Sequence, residues 1–134
     1  MPEHRVLVAA GAEDRVATVL PGSGYTAQGP LLAYPAAVLR DAGWTLRTVV
    51  WDGVCRDFDV RDAAERISAG LPAVLAGGTA DRLWDPAVAA RSGARVVEVP
   101  GADHSLEVPG DWRRSLGALA EVTAAVEDLA RSVR

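Results

Sequence analysis

LPAVLAGGTADRLWDPAVAARSGARVVEVPGADHS, residues 71–105, carries two strand-like runs, each ending in a polar, glycine-containing loop, with a helix start between them. The apolar run predicts a strand over Ala73 to Ala76, and the Val-rich run predicts another over Arg95 to Val99. Between them Asp85 offers a carboxylate to the free N–H groups of a helix whose first residue is Pro86, where a missing N–H costs nothing. Strands alternating with helices imply a mostly parallel sheet covered on both faces. In such sheets the loops at the carboxyl ends of the strands are the default ligand site.

The same alternation extends in both directions. RVLVAAG and RVATVLPG, separated by AED, predict short strands over Val6 to Ala10 and Val16 to Leu20. A glycine-rich loop, PGSGYTAQGP, leads to a helix over Ala33 to Ala42, with Pro35 limiting its first turn and Gly43 closing it. A strand over Thr45 to Trp51 follows, with Asp52 just beyond it, and Asp59 caps a short helix that runs through Ala69 and is stopped by Gly70. After the quoted stretch, Asp111 caps a helix in which Trp112, Leu116, Leu119, Val122, Val126, Leu129 and Val133 recur at three- and four-residue steps. The expected fold is α/β, a doubly wound, mostly parallel sheet of about five strands with helices on both faces, in one domain over residues 1–134.

Composition narrows the chemistry. A formal net charge of −4 offers no basic footprint for nucleic acid. All 14 basic residues are arginine, which removes Schiff-base lysines, serine–lysine dyads and the phosphate-binding lysine of a P-loop. His4, His104 and the single Cys55 lack metal-ligand spacing, so neither a metal nor another cofactor is expected. One cysteine, apolar runs too short to cross a bilayer and an N-terminal stretch unlike a secretory signal point to the cytoplasm and away from membranes.

Four loops meet the carboxyl ends of the strands: PGSGY, DGVCRD, GGTADRLWD and GADHSLEV. His104, held in a loop at a strand's end, is placed for acid–base work, because an imidazole titrates near neutrality. VLPGSGYTAQGPLLAY, then GGTADRLWD and GADHSLEVPGD, in that order, resemble the α/β-hydrolase superfamily, especially its small lidless esterase-like and dienelactone-hydrolase-like members. The resemblance implies that Asp81 is the triad acid and His104 the general base. It also implies that Ser23 and Gly24 lend a backbone N–H to the oxyanion hole, and that an ester-like small molecule is the ligand.

Members of that superfamily carry their nucleophile in a G-x-S-x-G elbow, and no such motif occurs in this sequence. AERISAG passes directly into LPAVLAGG, so the elbow strand, its helix and the next strand are expected to be absent, on the order of 50 residues. Hydrolysis is therefore expected to be weak or lost. Cys55, on the expected catalytic rim, is a candidate thiol replacement, and Ser23, Ser68 and Ser105 are hydroxyls in less suitable contexts. Trp84 is the tryptophan expected to line a pocket. With the elbow unit gone, the parallel strands are expected in the spatial order third, second, fourth, fifth, while the first either adds antiparallel beside the third or pairs as a hairpin with the second.

Two other functions fit parts of the chain. A non-catalytic binding or assembly domain, pairing as a homodimer, would cover apolar surface left by a shortened sheet. Gly22, Gly24 and Ala27 with Asp52 also match a dinucleotide fingerprint, but Gln28, Gly29 and Pro30 delay the helix whose N-terminus the pyrophosphate needs.

Overall fold

The computed structural model describes residues 4–21, 25–51 and 70–133. The chain divides into two compact units, Met1–Asp59 and Val60–Arg134.

The first unit contains strands β1 (His4–Ala9), β2 (Ala12–Val19) and β3 (Trp44–Trp51) and helix α1 (Pro30–Asp41). The sheet order is β1-β3-β2, with β1 antiparallel and β2 parallel to β3. Of the two placements open to the first strand, the one beside the third is therefore adopted. Only Ala10 and Gly11 separate β1 from β2, yet β3 lies between them, so this short link crosses the start of β3. The crossing needs glycine: a Cβ on Gly11 would lie 2.5 Å from the Trp44 carbonyl oxygen. Thr45 secures the crossing, its Oγ1 accepting from the Gly11 N–H at 2.9 Å and donating to the Ala12 carbonyl at 2.8 Å.

Most boundaries in this unit lie within two residues of the sequence expectation, and two differ by more. β2 starts at Ala12 rather than Val16, because Glu13, Asp14 and Arg15 form an irregularity between the pairs Ala12↔Trp44 and Val16↔Thr45 and do not end the strand. α1 starts at Pro30 rather than Ala33, with Gly29 as N-cap residue. The Tyr25 hydroxyl accepts from the Leu31 N–H at 3.2 Å, so this early turn has an outside partner. Pro35 sits inside α1 and is buried, its missing donor tolerated within the packed helix. α1 packs on β3 and β2, and Val19, Leu46 and Val49 form the buried apolar core. The helix expected over Asp59 to Ala69 lies outside the described residues.

The second unit contains β4 (Val74–Gly78), α2 (Pro86–Arg91), β5 (Arg95–Val99) and α3 (Trp112–Ser132). β4 and β5 form a parallel pair in the register Val74↔Arg95 through Gly78↔Val99, with α2 as their connection. β4 thus runs two residues past the expected Ala76, since both glycines pair. Asp85 caps α2 through the Ala87 and Val88 N–H groups, and Asp111 caps α3 through the Arg114 N–H. α3 packs on both strands and buries Ala118, Val122, Ala125 and Ala130. Ala89, Val97, Val99, Ala102, Leu106 and Val108 are buried with them, each of the larger side chains contributing up to about 1.5–3 kcal/mol. Among the described residues no helix is long and apolar enough to cross a membrane.

Candidate active site

The loops that follow β4 and β5 are joined beyond the last strand pair. The Thr79 N–H reaches the Val99 carbonyl at 3.1 Å and the Ala80 N–H reaches the Ala102 carbonyl at 3.0 Å, while the Gly101 N–H donates to Thr79 Oγ1 at 2.7 Å. Gly78 permits this approach, because a Cβ there would lie 2.1 Å from the Ala102 carbonyl oxygen. Gly101, with φ +76°, turns the second chain toward the first.

This joining brings Asp81 and His104 together. His104 Nδ1 lies 2.8 Å from Asp81 Oδ2, and the Leu83 N–H donates to Asp81 Oδ1 at 2.9 Å. An ionised carboxylate only accepts, so Nδ1 carries the proton and Nε2 is left as the basic nitrogen. The Leu83 N–H, followed by the His104 bond, holds the Asp81 carboxyl below the ordinary carboxylate range. The Asp81 side chain is 13% exposed and that of His104 77%, so the acid is sheltered while the base is open to a reactant. An open depression of about 470 Å³ beside the ring is lined by Ala80, Asp81, Arg82, Leu83 and His104.

Trp84 does not line that depression. Its ring lies against Gly77, where a Cβ would sit 2.0 Å from Trp84 Cε3, and its Nε1 donates to Glu98 Oε2 at 2.8 Å. The apolar wall is instead Leu83, which is 81% exposed. The Trp84 anchor depends on a cross-strand partner that becomes visible only once the β4–β5 register is known.

The His104 loop is closed by its own residues. Asp103 Oδ1 accepts from the Ser105 N–H at 2.9 Å and the Glu107 N–H at 3.1 Å, and the Asp103 N–H donates to the Glu107 carbonyl at 2.9 Å. Leu106 has φ +59°, a left-handed conformation unusual for a leucine, and its side chain is buried. Sequence reasoning passed over Asp103; an aspartate opening a tight loop is the signal for such an Asx-type turn.

Ser105 adjoins His104 in the chain and its backbone is held by Asp103. The hydroxyls of Ser92, Ser115 and Ser132 bond to nearby backbone carbonyls. Ser23, Gly24, Cys55 and Ser68, together with Gly22 and Asp52 of the dinucleotide pattern, lie outside the described residues. Among the described residues no group of three or more His, Cys, Asp or Glu side chains is placed to hold a metal ion.

The fold is similar to that of a crystal structure of a lidless α/β serine hydrolase from Xanthomonas campestris. The TM-score is 0.54 at 16% identity, covering 96% of this chain and 88% of that one. No family model matches the chain, and no curated protein matches it. The likeness is one of fold, a mixed α/β architecture similar to that of the lidless hydrolase.

Proposed function

We propose that Asp81 and His104 act as an acid–base dyad toward an ester-like small molecule on a shortened α/β-hydrolase fold. The observation that carries this reading is the 2.8 Å bond from His104 Nδ1 to a sheltered carboxylate. It fixes the tautomer in which Nε2 takes a proton from the attacking group, and it stabilises the imidazolium that results. On this reading Ser23 and Gly24 supply the oxyanion loop. The reading places this chemistry in the cytoplasm and without a cofactor; in place of the one sheet of about five strands expected from the sequence, the described residues pair as a three-stranded mixed sheet, β1-β3-β2, and a parallel pair, β4-β5.

The missing G-x-S-x-G elbow limits the rate. A serine hydrolase stripped of its nucleophile keeps about 10³–10⁴-fold acceleration over water, and here one of the two oxyanion donors goes with the elbow. Slow hydrolysis of an activated ester such as p-nitrophenyl acetate is expected, reduced to background in His104→Ala, with no stoichiometric labelling by a serine-directed phosphonate. Equal rates for wild type and His104→Ala reject the dyad. Ready labelling that requires His104 identifies a serine nucleophile, and turnover lost in Cys55→Ala identifies a thiol.

Exposed apolar side chains favour a second reading, a binding or assembly domain. Val6, Leu7 and Val8 on β1 and Trp112 and Leu116 on α3 are all exposed. Covering them by a second copy makes a homodimer; sedimentation showing only monomer at tens of micromolar, a range set roughly by ordinary interface affinities, counts against it.

A further inference from the structure

His104 differs from most placed histidines in how little touches its ring. The side chain is 77% exposed, and among the described residues Asp81 is its hydrogen-bond partner. Side-chain packing therefore does little to orient the imidazole. Its direction is set by one hydrogen bond and by the backbone from which it projects, so whatever holds residues 103–107 holds the ring.

Asp103 does that holding. Its Oδ1 gathers the Ser105 and Glu107 N–H groups, its own N–H reaches the Glu107 carbonyl, and its carbonyl accepts from the Leu106 N–H at 3.0 Å. Four hydrogen bonds thus run from one residue to the three that follow His104. The two N–H groups also keep one oxygen of this carboxylate, Oδ1, occupied. An aspartate next to a histidine in sequence is a ready competitor for the ring's Nδ1 proton, and bonding to Ser105 and Glu107 takes its Oδ1 out of that competition.

We infer that Asp103 is the positioning residue of the Asp81–His104 pair: it closes the loop so that the imidazole meets Asp81 in one orientation and one tautomer. The catalytic consequence rests on the dyad reading above, whereas the positioning itself is independent of any turnover. Removing the acceptor leaves two N–H donors to water and frees the loop, and the ring then samples orientations in which Nδ1 leaves Asp81. A misplacement of this kind at a proton-transfer group is read in kcat rather than KM.

The test is ¹⁵N NMR of the imidazole in the full chain, alongside ester turnover. The wild type is expected to show a single Nδ1–H tautomer for His104 with a low-field Nδ1 proton. Asp103→Ala is expected to remain folded, lose that proton signal, populate both tautomers and lower kcat about tenfold with KM unchanged. Asp103→Asn, whose amide oxygen still accepts at the same reach, is expected to restore both. A wild-type tautomer signature in folded Asp103→Ala overturns the inference, whatever happens to stability. Should Asp103→Ala fail to fold, Asp103→Asn and Asp103→Glu decide: the signature kept in Asn and lost in Glu supports the inference, and the reverse overturns it. If no ester is hydrolysed, the dyad reading fails while the NMR result still decides the role of Asp103.

Discussion

The two units solve the same problem, bringing distant backbone segments into contact, at opposite ends of their strands and for different ends. In the first, the close approach is where β2 and β3 begin: Gly11 passes over Trp44, and Thr45 bonds to both sides of the crossing. In the second it lies beyond the carboxyl ends of β4 and β5, where Gly78 admits Ala102 and the loops carry Asp81 and His104. The first contact closes a topology; the second aligns two titratable side chains. Both rest on a missing Cβ, and a side-chain hydroxyl beside each glycine secures the join.

Substitution at each glycine separates the two roles. Gly78→Val should have the largest effect, about 3 kcal/mol or more, because its Cβ collides with backbone at Ala102 rather than with a movable side chain. It should also abolish the Asp81–His104 tautomer signature. Gly11→Ala should cost about 2 kcal/mol in denaturant unfolding, from the clash with the Trp44 carbonyl, and leave the His104 signature unchanged. A His104 signature altered as strongly by Gly11→Ala as by Gly78→Val breaks the distinction. Asp85→Ala removes the cap of α2, the connection between the two site strands, and should cost about 1 kcal/mol by thermal melting without moving the imidazole resonances.

The smallest effect is a slope. Asp81 is held below its ordinary carboxylate value in the folded chain, so its contribution is fully present above the unfolded carboxylate pKa, about 3.9, and is lost as pH falls through the lower folded value. Asp81→Asn should therefore flatten the loss of stability on acidification below about pH 4. An unchanged acid limb in that variant removes the carboxylate from the account.

Legibility followed the range of the interactions. The Asp85 and Asp111 caps, Pro86 at the first helical position and the Val-rich β5 are local features, and each sits where the sequence places it. The loops bearing Asp81 and His104 were legible as strand ends for the same reason. The start of α1 was not, because it depends on Tyr25 reaching Leu31 across a loop, although Pro30 carried a local hint. The start of β2 was obscured because a charged AED segment reads as a turn while it is in fact accommodated as an irregularity against β3. The anchoring of Trp84 was not legible, because Gly77 beneath it and Glu98 beside it come together only through folding.

Leu106 gives the His104 loop a property that surface loops ordinarily lack. Its left-handed backbone turns the chain inward, and its side chain is anchored in the core of the second unit just two residues after an exposed imidazole. The loop cannot swing outward without drawing a large aliphatic side chain into water, at about 1.5–3 kcal/mol, so opening is coupled to loss of the core beneath it. The amides of Ser105 and Glu107 should therefore exchange with solvent hydrogen roughly ten- to a hundredfold more slowly than those of a surface loop without such an anchor.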